Sequence, residues 1–263
     1  NFTSSTDAYN VAVGMSAGAA VTTGTKNTLI GGLAGDALTT GITNVAVGYQ
    51  ALSSDTLGKR SVAIGNAALF TQNFTSATDT YNVAVGESAG LSVTTGVRNT
   101  LIGGLAGDAT TTGNYNAFVG YSSGGANTTG SLNAALGDNS LVANTTGASN
   151  VAVGQAALGS NTTASNNTAV GYSSLNKNTT GASNVALGAY ALDANTTANS
   201  NTAIGADSMS ANTTGGDNVA VGKNALLVNT TGGSNTAVGV LALDANTTAS
   251  NNTAVGHSAL TAN

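Results

Sequence analysis

The sequence predicts an all-β fold, a parallel β-solenoid with about one coil per 17 residues. Three observations carry this prediction: a fixed repeat, a short β-branched segment at the start of each repeat, and a Gly that closes the segment every time, from Gly14 to Gly256. The repeat holds at 17 residues except for one step of 21, between Ser61 and Asn82. The fifteen leading residues are Asn10, Asn27, Asn44, Ser61, Asn82, Asn99, Asn116, Asn133, Asn150, Asn167, Asn184, Asn201, Asn218, Asn235 and Asn252.

With the leading residue as position 0, positions 1 to 3 carry Val, Thr, Ala, Ile, Leu or Phe in every unit, which predicts a short strand. Successive side chains of a strand point to opposite faces, so positions 1 and 3 share one face and position 2, usually Ala, takes the other. Both faces are apolar, which is typical of strands buried on both sides. We therefore expect one face to line the coil and the small Ala face to press against another chain.

The remaining positions predict two turns and a second strand. The Gly at position 4 is expected at a corner where a positive φ excludes a Cβ. Position 7 is always Ala or Ser, and position 8 is Leu or Met in ten units and Gly in five. These two positions predict a second short strand, with Leu filling the coil. Positions 12 to 14, mostly Thr-Thr-Gly or Thr-Thr-Ala, predict the opposite turn, with its Gly at positive φ. The Asn residues at position 0 predict a ladder of side-chain amides between coils.

The repeat makes residues 1–263 a single repetitive segment rather than two globular domains. Residues 1–41 and 73–113 are near copies of each other, and each copy carries a longer turn that contains Phe2 or Phe74. Inserted loops on solenoids often carry binding. Both ends of the sequence fall inside a unit, whereas arrays normally end in atypical capping units, so we expect a segment of a longer fibre.

Composition excludes several functional classes. Only 6% of the residues are charged, the net charge is -5, and the six Lys and Arg are scattered, so no basic stripe predicts nucleic-acid binding. The sequence has no Cys, which excludes disulfides and thiolate chemistry. No apolar run approaches the roughly 18 residues that cross a bilayer, so we expect no membrane insertion by this segment.

We predict no catalytic, cofactor-binding or metal-binding residues, no cofactor and no enzymatic activity. The one His, His257, falls at position 5, a variable position that we expect on the surface. One His without any Cys excludes zinc sites and His-based triads. Four of the eleven acidic residues share position 9, but never in adjacent units, which disfavours paired acid–base chemistry. They are Asp36, Asp108, Asp193 and Asp244.

Eight Asn-Thr-Thr triplets match the N-glycosylation pattern, but all occupy one turn position, where glycans about 4.8 Å apart would crowd. A structural role for these Asn residues is therefore favoured. Their Thr pairs form two rows, an arrangement that also suits ice, although a turn is a poor flat face. The seven Tyr residues are scattered, and they either contact carbohydrate or cover the coil. The triplets begin at Asn127, Asn144, Asn161, Asn178, Asn195, Asn212, Asn229 and Asn246, and the Tyr residues are Tyr9, Tyr49, Tyr81, Tyr115, Tyr121, Tyr172 and Tyr190.

A single chain of this composition buries mostly small side chains. The burial of a few Val and Leu residues is weak against the entropy of ordering a whole coil. Covering the Ala face with sister chains offsets this deficit. We therefore expect a homo-oligomer, with the homotrimer as the natural closed symmetry for a fibre.

The segment Ser61-Val-Ala-Ile-Gly65 resembles the head repeats of YadA-type trimeric autotransporter adhesins. The longer form at residues 167–175, Asn-Thr-Ala-Val-Gly-Tyr-Ser-Ser-Leu, together with Asn-Thr-Thr-Gly, is similar to repeats of phage tail-fibre proteins. The resemblance implies a left-handed parallel β-roll wound as a homotrimer, located extracellularly on a virion or a cell surface. It also implies a structural or adhesive role in attachment, with a host-surface glycan or protein as partner. A segment of a phage tail fibre is the preferred interpretation of the sequence. A bacterial adhesin head and a monomeric ice- or glycan-binding solenoid are the alternatives.

Overall fold

Each repeat unit contributes one three-residue strand to a parallel β-solenoid. The computed structural model describes residues 8–261, which contain fifteen strands and no helix. The described chain divides into two compact parts, each of several repeats. We call them unit 1, which ends at Leu132, and unit 2, which begins at Asn133. The strands of unit 1 are β1 (Val11–Val13), β2 (Thr28–Ile30), β3 (Val45–Val47), β4 (Val62–Ile64), β5 (Val83–Val85), β6 (Thr100–Ile102) and β7 (Ala117–Val119). The strands of unit 2 are β8 (Ala134–Leu136), β9 (Val151–Val153), β10 (Thr168–Val170), β11 (Val185–Leu187), β12 (Thr202–Ile204), β13 (Val219–Val221), β14 (Thr236–Val238) and β15 (Thr253–Val255).

Within unit 1 and within unit 2, every strand pairs in parallel with the next strand along the chain. Paired residues are 17 apart, as Thr168 and Val185 are, so equivalent positions lie over one another. At the longer step Val62 pairs with Val83, and the sheet register is kept although four extra residues intervene. The predicted solenoid with one coil per 17 residues is therefore confirmed.

The Gly at position 4 ends each strand at a sharp corner, as the sequence predicts. Gly31 has a φ of +134°, and a Cβ placed on it would lie 2.4 Å from the carbonyl oxygen of Gly48 in the next coil. A side chain here meets both an unfavourable backbone conformation and the backbone of its neighbour. Only Gly allows the coils to stack this closely at the corner.

The predicted second strand at positions 7 and 8 is wrong, because these residues form turns in the described chain. Residues at positions 6 and 8 have positive φ, such as 56° at Gln50 and 53° at Leu52, which an extended strand does not allow. The backbone N–H groups of positions 6 and 8 donate in opposite directions, one to the preceding coil and one to the following coil. Gln50 N–H donates to Gly32 O in the preceding coil, and Leu52 N–H donates to Ala68 O in the following one. The prediction that Leu fills the coil is confirmed, since Leu52 is fully buried.

The opposite turn also differs from the prediction in its details. Gly147 and Gly181, at position 14, do not have a positive φ. The residue of this turn that does is the last of each unit, position 16, for example Ser149 with a φ of 57°. Position 14 is instead a site of close packing, where a Cβ on Gly147 would lie 2.2 Å from Ala164 O.

The Ala face of the strands lines the inside of the coil, so the prediction that it contacts another chain is wrong. Ala46 and Ala63, at position 2, are fully buried within this one chain, whereas Val45 and Val47 on either side of Ala46 are only half-buried. The reason is space: the inside already holds Leu from position 8 and polar side chains from positions 0 and 11. Only a methyl group fits at position 2, and the larger β-branched residues lie on the outside.

Positions 2 and 8 exchange volume across the core. Where position 8 is Gly, position 2 of the same or the next coil holds Leu29, Leu101 or Phe118 instead of Ala. A Cβ on Gly124 would lie 2.5 Å from the Phe118 ring, and one on Gly90 would lie 2.7 Å from Leu101 Cδ1. The large side chain at position 2 therefore occupies the space that Leu takes elsewhere, and the core stays filled.

Buried Asn side chains form two columns, one at position 0 in both units and one at position 11 from Asn127 onward. At position 0, Asn27 Oδ1 accepts from the backbone N–H of Asn44 at 2.9 Å. Asn44 Nδ2 in turn donates to Gly58 O of its own coil at 2.9 Å. At position 11, the amides bond to each other, as Asn161 Nδ2 does to Asn144 Oδ1 at 2.9 Å. The amide ladder predicted for position 0 is therefore most regular at position 11, while position 0 mainly bridges backbone groups.

Adjacent glycines in the second coil give a matched test of the corner. Gly31→Ala should destabilise the fold by at least about 1–3 kcal/mol, because it combines positive φ with a backbone clash. Gly32→Ala is the control, since its Cβ would meet only the Tyr49 ring edge at 3.4 Å. Urea unfolding midpoints of the two variants measure the difference, and equal midpoints would contradict the corner's role.

The exchange between positions 2 and 8 predicts a rescue. Phe118→Ala should cost about 3–5 kcal/mol of unfolding free energy by leaving a cavity. Adding Gly124→Leu should restore more than half of that loss, because Leu141 shows that Leu adopts the positive φ of position 8. Gly124→Leu alone should be destabilising through the clash with Phe118. A double-mutant cycle measured by chemical denaturation tests this, and additive effects would refute it.

Candidate functional site

Positions 1 and 3 of the strands form an outward strand face that continues from coil to coil within unit 1 and within unit 2. It carries only Val, Thr, Ala, Ile and Leu and no charged residue. In unit 2, Leu136, Leu187 and Ile204 keep 52%, 38% and 38% of their surface exposed. Contiguous apolar surface of this kind on a soluble protein usually marks an interaction site.

Threonines occupy two different kinds of place on the surface. At position 12 the hydroxyl is engaged, because Thr162 Oγ1 donates to Thr179 O of the next coil at 3.1 Å. At position 13 the Thr side chains, such as Thr163, are exposed. A further row, not singled out from the sequence, lies at position 1 on the outward strand face. Its members are Thr28, Thr100, Thr168, Thr202, Thr236 and Thr253.

The Asn of every Asn-Thr-Thr triplet is buried, with at most 1% of its surface exposed. Asn178 is typical: its Nδ2 donates to Asn161 Oδ1 at 3.0 Å and to Gly181 O at 2.9 Å. An amide that holds two hydrogen bonds inside the coil is inaccessible to a glycosyltransferase in the folded chain. The structural role favoured by the sequence is confirmed.

The structure places His257 and the four position-9 carboxylates at separate points of the solenoid. His257 is exposed, as expected, and its Nδ1 lies 3.0 Å from Ser258 Oγ. The position-9 carboxylates are half-buried at separate coils; Asp36 accepts from Ser53 Oγ at 2.5 Å. Among residues 8–261 there is no pocket and no group of His, Cys, Asp and Glu that suits a metal ion. That range also contains no helix long and apolar enough to cross a bilayer.

One column of exposed side chains was missed because its members look scattered in sequence. At position 16 of unit 1, we call the basic–aromatic column the residues Lys26, Arg60, Tyr81, Arg98 and Tyr115. The same position also holds Tyr9, Thr43 and Leu132. The Arg60 guanidinium lies 5.5 Å from the centre of the Tyr81 ring, and the Arg98 guanidinium 5.3 Å from that of Tyr115. An alignment of the 17-residue repeats by position would have shown that these side chains lie over one another.

The longer step is closed by a buried polar network that the sequence did not predict. Asp55 replaces Asn at position 11, and its Oδ1 accepts from Gly58 N–H at 3.0 Å and from Phe74 N–H at 3.3 Å. Gln72 Nε2 donates to Asp55 Oδ2 at 2.7 Å and to Ser61 Oγ at 2.8 Å. Phe74 of the longer turn points inward and is 6% exposed, whereas residues 75–77 of the same turn are exposed. Phe2, in the first copy, lies outside the described residues.

Burial raises the pKa of the Asp55 carboxyl, while the hydrogen bonds from Gln72, Gly58 and Phe74 oppose that shift. Burial also raises the pKa values of Asp108 and Asp193, which are only partly buried. The folded chain therefore binds protons at these carboxylates more tightly than the unfolded chain does.

No family model, curated protein or solved structure matches the chain. The fold and the surfaces described above are therefore the basis for any functional assignment.

The raised pKa of Asp55 predicts how stability responds to pH. A carboxyl with a higher pKa in the folded state stabilises the fold below its unfolded pKa, and this contribution is lost as pH rises through the folded pKa. Asp55→Asn should therefore flatten the fall in unfolding free energy as pH rises from about 4. Asp138→Asn, at an exposed position, is the control. Urea midpoints across the pH range measure both slopes, and an unchanged slope in Asp55→Asn would contradict the prediction.

Proposed function

We propose that this chain is a structural and adhesive segment of an extracellular fibre, a phage tail fibre in the first instance, in which three copies associate through the outward strand face. The single observation that carries the proposal is this uncharged, partly exposed face, repeated at every coil of each unit. The Ala face cannot form the interface, because its residues are buried inside the coil.

The size and chemistry of the face suit a second and third copy. The eight strands of unit 2 contribute two outward residues each, sixteen in all, before flanking turn residues are counted. A standard interface engages about 20 to 30 residues a side, so the face is of that order. Charged residues, which disfavour the centre of an interface, are absent from it. A closed three-fold arrangement then buries the face of every copy equally.

The left-handed winding and the attachment role come from the resemblance to adhesin and tail-fibre repeats, and both remain part of the proposal. A bacterial adhesin head is the alternative location for such a fibre segment. Absence of enzymatic activity belongs to the same proposal, since the role requires a rigid repetitive surface rather than a reaction.

The oligomeric state tests the proposal. Sedimentation equilibrium should give three times the 25.2 kDa mass of the chain at micromolar concentration. Leu187→Lys combined with Ile204→Lys should yield monomers, because two charges would be buried in the interface. Thr180→Lys, which adds a charge in an exposed turn, should leave the trimer intact. A wild-type species of 25.2 kDa would refute the proposal.

A monomeric ice-binding solenoid is the second candidate, and the Thr row at position 1 favours it. In unit 2 this row alternates Val and Thr from Val151 to Thr236 at a spacing of about 4.8 Å on a strand face whose side chains are mostly half-buried. A regular array of methyl and hydroxyl groups is the chemistry expected of an ice-binding surface. Thermal hysteresis by a monomeric chain would support this candidate; its absence together with a trimeric mass would leave the fibre.

A further inference from the structure

We propose that the basic–aromatic column of unit 1 binds an acidic polysaccharide in which charged and neutral sugars alternate. The inference deepens the proposed attachment role and takes its biological context from it, but the binding itself is a property of the column.

The column concentrates the positive charge of a chain whose net charge is -5. Four of the six Lys and Arg residues fall between residues 26 and 98, and three of these four occupy position 16: Lys26, Arg60 and Arg98. They recur at every second coil, which places the charges about 10 Å apart along the column. Among the described residues the one ion pair is that of Arg60 with Asp79, so Arg98 has no carboxylate partner there.

Tyrosines fill the coils next to the two arginines, so that Arg60, Tyr81, Arg98 and Tyr115 alternate strictly. Tyr81 and Tyr115 each keep 47% of their surface exposed. Arg98 Nη1 donates to Tyr115 Oη at 2.6 Å, which orients the guanidinium beside the ring. A ring and a cation held side by side offer a stacking surface and a carboxylate-binding group at one place.

The backbone beneath the column is fixed before any ligand arrives. Arg98 N–H donates to Thr80 O at 2.7 Å, and Tyr115 N–H donates to Val97 O at 3.1 Å. Position 16 also has a uniform backbone conformation, with φ of 61° at Arg60, 51° at Tyr81, 58° at Arg98 and 57° at Tyr115. Such a preorganised surface loses little backbone entropy on binding.

The repeat of the column matches a particular ligand chemistry. A pyranose in an extended chain is about as long as the spacing between coils, about 4.8 Å. An apolar sugar face can therefore pack on each Tyr while the carboxylate of the next sugar pairs with Arg98, the arginine that no carboxylate engages among the described residues. A nucleic acid fits less well, because it carries a phosphate at every nucleotide and the column supplies a cation only at alternate coils.

The column lies at the rim of the outward strand face, one residue before the buried leading Asn of each coil. Association of copies through positions 1 and 3 therefore leaves it accessible along the rim. Polysaccharide binding and self-association are compatible in one particle.

Calorimetry of the full chain with a hyaluronan octasaccharide tests the inference, since that oligomer alternates glucuronate with N-acetylglucosamine. The octasaccharide should bind, a neutral chito-octaose should bind at least tenfold more weakly, and Arg98→Gln should weaken hyaluronan binding about tenfold, the loss expected for one charge-assisted hydrogen bond. Tyr115→Ala should weaken it, and Tyr115→Phe, which keeps the ring but loses the acceptor of the Arg98 hydrogen bond, should weaken it less. Lys177→Gln removes the same charge at an exposed position outside the column and should change nothing.

Several results would overturn the inference: no binding of hyaluronan at millimolar concentration, equally tight binding of chito-octaose, polyglutamate or single-stranded DNA, or equal effects of Arg98→Gln and Lys177→Gln. Urea midpoints of each variant show that it is folded. A trimer that does not bind hyaluronan would refute this inference but not the fibre proposal. A monomer that binds hyaluronan would refute the fibre proposal but not this inference.

Discussion

Stacking of equivalent residues directly over one another, about 4.8 Å apart, is the constraint on which the rest of this structure depends. Each position of the unit must carry a side chain that tolerates its own copy above and below. At the corner this leaves only Gly, since a Cβ on Gly48 would lie 2.4 Å from Gly65 O. Inside the coil it favours Ala, Leu and Asn, whose copies pack or bond to one another. The sequence repeats because each coil must carry residues that are compatible with the same positions of its neighbours.

The Asn columns show how a narrow, closely stacked interior satisfies its polar groups. Turns cannot pair all of their backbone groups with the neighbouring coil, and a buried unpaired group is costly. Asn supplies a donor and an acceptor on one short side chain, so Asn195 bonds both to Asn178 and to Ala198. This column runs from Asn127 to Asn246, and the preceding coils carry other residues at position 11. Beside the longer step, Asp55, Gln72 and Ser61 satisfy the buried polar groups with a network of different side chains.

A coil whose interior is so constrained leaves variation to its outside. Position 16 holds Arg98 and Tyr115 in unit 1 but Ser183 and Ser200 in unit 2 on the same backbone conformation. The outward strand face stays uncharged throughout, whereas the corners and turns change from coil to coil. The self-association and the polysaccharide binding that we propose would use these two different parts of the surface.

The sequence by itself determined the strands, their parallel register and the Gly corner, because a fixed period requires equivalent residues to stack whatever the coil's cross-section. It also indicated the structural role of the Asn-Thr-Thr turns, since identical polar residues at one position imply mutual bonding. Only the tertiary structure decided which strand face points inward. Ala and Val are both apolar, so composition could not assign them, and the choice depended on the volume already taken by Leu and Asn at positions distant in the unit. The turn at positions 7 and 8, the network around Asp55 and the column of Arg98 and Tyr115 likewise arise from backbone conformations and neighbours that are adjacent only once the coil is wound.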